Sequence, residues 1–259
     1  MEGITKDGLI CVFDILGYKN FAKNNKIFDC AQGIKNIIEK LPNNVNDNII
    51  KIFETAKKED KPISNIVKEA IIQLLNLKFQ HITISDTIIL AFDFTELEDI
   101  DLDAFTMMSL LYIMFFQEIS FEKGFPMRGC IDIGSFYLNK NIFAGETIIN
   151  CFTESERINF SGVVLTDNSL KTLENRNTPA VNLFMEHFIV KKYLVPMNNN
   201  TEDYKNLIKW TIKRGNNIIT DLRQTIFEAF HAHNKEVNLS VMEKIKNTEK
   251  IIRYFNIKK

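Results

Sequence analysis

An aspartate stands near the end of the first apolar run of the chain. The run Leu9 to Ile15 (LICVFDI) is short, rich in β-branched residues and followed by Gly17, a pattern typical of a buried strand that ends in a turn. Asp14 lies inside this run, and a carboxylate in a buried strand is costly unless a cation or hydrogen-bond donors lie beside it. The sequence therefore predicts a strongly paired or functional carboxylate at the end of the first strand.

A second acid has a similar setting. Two apolar runs, Phe79 to Ile84 and Thr87 to Phe92, flank Ser85-Asp86 and predict a β-hairpin with Asp86 at its tip. If this hairpin and the first strand are neighbours in one antiparallel sheet, the two carboxylates converge and can hold one or two Mg²⁺ or Mn²⁺ ions, with substrate phosphates as further ligands. For either acid alone, strand-end capping or turn formation is the simpler interpretation, whereas the pair favours a shared metal site.

The remaining pattern predicts a mixed α+β chain. Apolar residues at helical spacing predict a first helix up to Pro42, a second from Ser64 to about Leu77 and a long third one from Asp101 or Asp103 to about Lys123. Further elements are a hairpin of Met127–Gly134 with Ser135–Phe143, a helix from Gly145 to about Asn159 and a strand Val163–Leu165. After Asp167 the sequence predicts a short helix, strands near Phe188–Pro196 and Leu207–Trp210, and two C-terminal helices. We expect a core of residues 1–166, with an insertion at about 41–62, and an extension of residues 167–259 that packs on it.

Composition excludes several classes of protein. Of the 259 residues, 45% are hydrophobic and 25% charged, the proportions of an ordinary globular chain. The formal net charge of -1 provides no general attraction for nucleic acid or an anionic membrane. The four cysteines are scattered, which predicts buried free thiols rather than a zinc site, and the most apolar window, Met107 to Phe116, is too short to span a membrane. A cytoplasmic protein without nucleic-acid or membrane partners is expected.

One strand carries an unusually polar face. Alternation places Arg128, Cys130 and Asp132 on the same side of the sheet. This pattern predicts either a partly solvated face with an Arg–Asp pair or a face that closes over a polar ligand.

Two helix starts carry further polar groups. Leu16-Gly17-Tyr18-Lys19 is a glycine turn that leads into a helix, whose first backbone amides can bind phosphate, although many strand–glycine–helix joints offer as much. On the helix after Gly145, one side carries Asn150, Thr153, Glu154 and Arg157, while the expected core side carries Ile148, Ile149 and Phe152. A solvated helix face is the simpler interpretation of this second pattern.

Together these motifs resemble the class III nucleotide cyclase domain. The resemblance is carried by the segments FDILGY (13–18), Ser85-Asp86, Met127-Arg128-Gly129 through Gly134, and Phe143-Ala144-Gly145 with its helix. The run RGCIDIGSFYLNKNIFAGETIINCFTESERINFSG and the later segments KKYLVPM, KW and VMEKIKNTEKIIRYF are more similar to the bacterial cyclases of the Pycsar antiphage systems, which make cyclic UMP or cyclic CMP. The resemblance covers residues 8–165 and, more loosely, the rest of the chain.

The resemblance implies a fold, a reaction and a set of ligands. The fold is a ferredoxin-like βαββαβ antiparallel sheet core with C-terminal helical additions, in a head-to-tail homodimer with sites at the interface. In the reaction the ribose 3′-oxygen attacks the α-phosphorus and pyrophosphate leaves. The positions that match ligands of two Mg²⁺ or Mn²⁺ ions are Asp14, Asp86 and the backbone carbonyl of Ile15. The positions that match the triphosphate cradle are the amides of Gly17 and Tyr18, with Lys19 beside them.

The base-reading positions depart from those of purine cyclases. Those enzymes carry a lysine four residues before the second aspartate, where this chain has Ile82, and a polar residue three residues before the helix glycine, where it has Ile142. A purine edge would face unpaired apolar walls there. The expected substrate is therefore a pyrimidine nucleoside triphosphate, UTP or CTP, and the resemblance implies a separate effector protein that senses the cyclic product in antiviral defence.

The transition-state positions depart as well. Purine cyclases place asparagine and arginine four and eight residues after the helix glycine, where this chain has Ile149 and Thr153. The candidates to replace them are Asn150, Arg157 and Arg128. Two alternatives stay open: a catalytically degenerate cyclase-fold module that binds a nucleotide or a partner, and a purine cyclase with an unforeseen base pocket.

Overall fold

A computed structural model describes residues 5–37, 79–139, 142–212 and 221–257 of the chain. The insertion predicted at about residues 41–62 and the helix predicted from Ser64 to about Leu77 lie outside the described residues.

The described residues contain eight strands and seven helices with defined ends. The strands are β1 (Thr5–Ile15), β2 (Phe79–Ile84), β3 (Thr87–Asp93), β4 (Met127–Asn139), β5 (Ile142–Ala144), β6 (Gly162–Leu165), β7 (Ile189–Pro196) and β8 (Glu202–Ile208). The helices are α1 (Tyr18–Asn24), α2 (Asp99–Glu122), α3 (Glu146–Arg157), α4 (Asp167–Arg176), α5 (Pro179–Phe188), α6 (Leu222–His231) and α7 (Leu239–Ile257). A further helical segment covers residues 27–37.

The strands form one sheet in the order β2-β3-β1-β4-β6-β8-β7, and β5 pairs with β4. Within it, β1 is antiparallel to both β3 and β4. Helices precede β2, and α2 joins β3 to β4, so the first four strands have the ferredoxin-like βαββαβ order. The predicted α+β class with an antiparallel core is confirmed.

The sheet continues past the predicted boundary at residue 166. β6 pairs in parallel with β4 and antiparallel with β8, through Val164 opposite Leu207 and Leu165 opposite Asn206. The extension therefore contributes two strands to the sheet as well as helices, and the boundary itself stays a prediction. Between Asp167 and the strand pair the structure has two helices where the sequence predicts one, and β8 begins and ends earlier than predicted.

The hairpin predicted at Gly134-Ser135 is wrong. β4 runs through both residues to Asn139, because β1 begins at Thr5 and pairs with β4 as far as Tyr137. A Cβ on Gly134 would lie 3.1 Å from Oγ1 of Thr147. The glycine therefore permits close packing of α3 on the strand and does not mark a turn.

The single helix predicted up to Pro42 is also wrong. α1 ends at Asn24, Asn25 has extended backbone angles (φ -127, ψ 159), and helical backbone resumes at residue 27. Nδ2 of Asn25 donates to the carbonyls of Phe21 at 2.8 Å and of His233 at 2.7 Å. The Asn25 side chain thus interrupts the helix and ties it to the C-terminal region. Phe28, one of the apolar residues whose helical spacing predicts the single helix, is exposed.

Helix α2 is the main buried helix, as predicted. It packs on the sheet face opposite Asp14, where the rings of Phe13 and Phe116 lie 5.2 Å apart. Its segment Leu102–Glu122 is long and apolar enough to cross a membrane, but 83% of its most apolar window is buried inside the protein. A buried core helix accounts for this composition.

Candidate active site

Asp14 and Asp86 converge at one end of the sheet. Asp14 pairs across the strands with Thr87, the residue after Asp86, and the backbone N–H of Ile15 donates to the Asp86 carbonyl at 3.0 Å. The two carboxyl groups lie near each other, and the Asp86 side chain raises the pKa of Asp14. The predicted neighbourhood of β1 and the β2–β3 hairpin therefore produces the expected pair of acids.

Arg128 binds Asp14 from the other neighbouring strand. The two residues lie opposite each other in the β1–β4 register, and Nε of Arg128 donates to Oδ2 of Asp14 at 2.8 Å. Nη1 of Arg128 also donates to the carbonyls of Glu156 at 2.8 Å and Ile158 at 3.3 Å. Arg128 is therefore held in place by three acceptors, and it orients the Asp14 carboxylate.

The electrostatics of Asp14 show competing effects. Burial raises the pKa of the Asp14 carboxyl, the Arg128 guanidinium lowers it, and the adjacent Asp86 carboxyl raises it again, with a raised pKa as the net result. A raised pKa means that the site does not by itself fully stabilise two negative charges. Arg128 alone does not compensate the pair.

The oxygen donors fit a hard divalent cation. Two adjacent carboxylates with an excess of negative charge are the ligands that Mg²⁺ and Mn²⁺ prefer, and the Ile15 carbonyl lies at the same strand end. Among the described residues, no group of three or more His, Cys, Asp or Glu side chains is arranged to share an ion. Further ligands for an ion at Asp14 and Asp86 would therefore be water or substrate oxygens.

The turn after β1 has a left-handed glycine at the start of α1. Gly17 has φ 78, and its carbonyl accepts from the amides of Asn20 and Phe21 at 3.1 and 3.0 Å. As residues of the first turn, Tyr18 and Lys19 have no intrahelical carbonyl for their amides. Lys19 is exposed, and Tyr18 is half-buried.

The polar face of β4 is covered rather than solvated. Asp132 is 2% exposed and accepts hydrogen bonds from Nδ2 of Asn150 at 3.0 Å and Oγ of Ser169 at 3.2 Å, as well as from Oγ1 of Thr166. The sequence places Arg128 and Asp132 on this face correctly, but Arg128 pairs with Asp14 and not with Asp132. Asp132 therefore joins α3 and α4 to the sheet.

In this chain the side chains of Asn150 and Arg157 are bound to acids other than Asp14 and Asp86. Asn150 is bound to Asp132, four residues along β4 from Arg128, which corresponds to roughly 13 Å of strand. Arg157 is half-exposed and pairs with Glu154 at 2.7 Å. Their roles at a reaction centre stay predictions. The expectation that Ile149 faces the core is wrong, because its side chain is 64% exposed.

Ile82 and Ile142 lie far apart in the sheet. Across the neighbouring strands, Ile82 pairs with Ile89, Ile89 pairs with Val12, and Val12 pairs with Cys130 of β4. Ile142 is opposite Asn139 of β4, nine residues beyond Cys130, or roughly 30 Å along the strand. One copy of the chain therefore does not bring both positions to one base.

Two lysines of the C-terminal region lie near this end of the sheet, and the sequence analysis missed both. The amine of Lys235 donates to the Gly124 carbonyl. A Cβ on Gly17 would lie 3.2 Å from Cδ of Lys235, whose side chain is fully buried. Lys244 of α7 is close enough to Asp14 and Arg128 for their charges to affect its pKa. The sequence analysis predicted only that the C-terminal helices pack on the core, because neither lysine belongs to a recognisable motif.

No protein-family model and no curated protein sequence matches the chain. Among solved structures, the catalytic core of a rhodopsin-guanylyl cyclase with converted specificity, in complex with ATPαS, is similar with a TM-score of 0.47 and 10% identity, over 81% of this chain and 99% of that one. The guanylyl cyclase Cya2 is similar with a TM-score of 0.40 and 9% identity, over 84% of this chain and 98% of that one. Both scores are low, and at these identities neither similarity assigns a family or an activity to this chain.

Proposed function

We propose that the chain is a metal-dependent nucleotide cyclase that converts a pyrimidine nucleoside triphosphate, UTP or CTP, to the 3′,5′-cyclic monophosphate and pyrophosphate. The observation that carries this proposal is the convergence of Asp14 and Asp86 at the end of β1, beside the Gly17 turn. The motif resemblance described above gives the reaction class. In that reaction a bond forms between the ribose 3′-oxygen and the α-phosphorus, the bond from that phosphorus to the bridging oxygen breaks, and a proton is released.

Each residue of this end of the sheet has a defined task in the proposal. Asp14, Asp86 and the Ile15 carbonyl would hold the Mg²⁺ or Mn²⁺ ions, which supply Lewis-acid activation and neutralise phosphate charge. Arg128 fixes the Asp14 carboxylate in one orientation. The amides of the Gly17 turn, with Lys19, bind the phosphate chain.

A second copy of the chain completes the site in this proposal. The separation of Ile82 from Ile142 means that one base contacts both positions only when they come from different subunits. Asn150 or Arg157 of the partner subunit then reaches the phosphate, because within one copy both side chains are bound to other acids. A head-to-tail homodimer satisfies both requirements, and its cyclic product would be sensed by a separate effector in antiviral defence.

Turnover of the four ribonucleoside triphosphates tests the proposal. The purified chain is incubated with ATP, GTP, CTP or UTP and Mn²⁺, and cyclic product and pyrophosphate are measured. A cyclic pyrimidine product that is lost in D14N and D86N variants is expected. Formation of a cyclic purine nucleotide alone would correct the substrate, and no product from any triphosphate would reject the activity.

A second candidate is a nucleotide-binding module without turnover. It is favoured by the engagement of Asn150 with Asp132 and of Arg157 with Glu154, because these contacts leave neither side chain directed at Asp14. Calorimetry that shows tight triphosphate binding without product would support this candidate.

A further inference from the structure

The connection between α6 and α7 contains a buried lysine. Lys235 is 1% exposed, its Nζ donates to the Gly124 carbonyl, and the same amine lies 5.3 Å from the centre of the Phe125 ring. Among the described residues, no carboxylate forms an ion pair with this amine. Because a buried ammonium group is costly without such a partner, a lysine at this position indicates a role that an apolar side chain would not fill.

The end of β1 and the start of β4 stay joined beyond their paired residues. The last pair of the β1–β4 ladder is Ile15 opposite Met127. One residue further on, the backbone N–H of Leu16 donates to the Pro126 carbonyl at 2.9 Å. The end of β1 is therefore positioned against the chain that enters β4, and each of the two segments has a glycine turn on its far side.

The α6–α7 connection, residues 232–238, covers both of these turns. Gly17 and Gly124 have left-handed backbone, with φ 78 and φ 80. A Cβ on Gly17 would lie 3.2 Å from Cδ of Lys235, and a Cβ on Gly124 would clash with the Ala232 side chain. The methylene chain of Lys235 thus packs on one turn, while its amine donates to the carbonyl of the other.

The α6–α7 connection is itself anchored on both sides of Lys235's contacts. Nδ2 of Asn24 donates to the Asn234 carbonyl at 2.9 Å, and the His233 ring stacks on the Phe125 ring with their centres 4.3 Å apart. These contacts hold the connection against the end of α1 and against the residues just before β4. Lys235 therefore joins the two glycine turns from a fixed position.

We propose that Lys235 is a positioning residue for the metal ligands at the end of β1. Its side chain holds the Gly17 turn against the Gly124 turn. The strand end before the Gly17 turn carries Asp14 and the Ile15 carbonyl, so their positions depend on that turn. The inference rests on the metal site of the proposed function and deepens it, because it assigns part of the geometry of the site to the α6–α7 connection.

Amide hydrogen exchange followed by NMR tests the local effect of Lys235 without metal or substrate. The reporter is the Leu16 amide, which donates to the Pro126 carbonyl directly before the Gly17 turn. We expect K235A to lower the protection of this amide about 10-fold relative to the middle of β1, and K235M, which keeps most of the methylene chain, to lower it less. I226A truncates a side chain of α6 that is 0% exposed, and it is the matched control for general destabilisation. It should leave the ratio of Leu16 protection to that of the middle of β1 unchanged.

Binding of Mn²⁺ alone tests the effect of Lys235 on the proposed ligands. Electron paramagnetic resonance measures free Mn²⁺ in titrations of the full chain, for wild type, K235A, I226A and D14N. We expect K235A to weaken Mn²⁺ binding about 10-fold, I226A to leave it unchanged and D14N to remove the site. Thermal unfolding checks that every variant is folded at the temperature of the titration.

Failure of this inference is separable from failure of the proposed function. Equal Leu16 protection in K235A and wild type, or an equal relative loss in I226A, overturns the role of Lys235. Equal Mn²⁺ affinity in K235A and wild type, at a site that D14N removes, overturns it as well. If wild type binds no Mn²⁺ that D14N removes, the proposed metal site fails, while the exchange ratio still decides whether Lys235 holds the strand end.

Discussion

The Arg128 guanidinium and the Asp14 carboxylate meet at 2.8 Å across the β1–β4 register, although 114 positions separate them in the chain. The same guanidinium holds the carbonyls of Glu156 and Ile158. It therefore links the strand that carries the acid to the end of α3, and its loss affects both stability and site geometry.

We expect R128M to lower the free energy of unfolding by about 2–3 kcal/mol, because two carbonyls and a partly buried carboxylate lose their donor. Urea denaturation followed by circular dichroism measures this change. The half-exposed Arg157 provides the control, and R157M is expected to change stability by less than about 0.5 kcal/mol. Equal effects of the two substitutions would contradict the role given to Arg128.

D86N is expected to abolish the proposed cyclase activity and yet to stabilise the metal-free protein slightly, by roughly 0.5 kcal/mol. The reason is that Asp86 raises the pKa of Asp14, so removal of one carboxylate relieves repulsion. Thermal unfolding with a chelator measures the gain. Added Mn²⁺ should raise the Tm of wild type and not of D86N. A Tm of D86N that is lower than wild type in chelator would argue against repulsion between the acids.

Stability is expected to depend on pH through Lys235. Burial lowers the pKa of this amine to about 7 in the folded protein, from its ordinary value of 10.5. The unfolded chain therefore binds more protons above about pH 7, and unfolding becomes less favourable as the pH rises. Between about pH 6.5 and about pH 8, wild type should gain roughly 1 kcal/mol relative to K235M. Parallel pH profiles of the two proteins would show that Lys235 does not titrate in this range.

D132A is expected to destabilise the fold by about 3 kcal/mol, because Asn150, Thr166 and Ser169 lose a shared buried acceptor. Denaturant unfolding measures the loss. The half-exposed Asp203 gives a comparison, and D203A should cost less than about 1 kcal/mol. If D132A were as stable as D203A, Asp132 would not be the link between α3, α4 and the sheet.

The local pattern of the sequence was sufficient to identify Asp14 and Asp86 as candidate site residues. An apolar run with a single acid at Asp14 and a hairpin tip at Asp86 predict both elements. Their meeting was predicted only on the condition that the two strands are neighbours, and the β1–β3 pairing meets that condition. The same local signals misplaced the turn at Gly134, because a glycine needed for packing against Thr147 looks like a glycine needed for a turn.

Contacts over long sequence distances could not be predicted in this way. Arg128 could in principle form an ion pair with either Asp14 or Asp132. The β1–β4 register selects Asp14, because it places this residue opposite Arg128. The approach of Lys235 to Gly17 and of Lys244 to Arg128 depends on how the last helices dock. No spacing within a single segment encodes that docking.

The docking of α7 against residues 159–161 also bears on how the protein acquires its site. β1 and α7 come from opposite ends of the described chain, so the fold around the site is complete only after the most distant segments have found each other. Chains with such remote pairings fold slowly, because the entropy of loop closure is lost before the contacts form. In a refolding experiment, helical and strand signals should therefore return before the chain regains affinity for a nucleoside triphosphate with Mn²⁺.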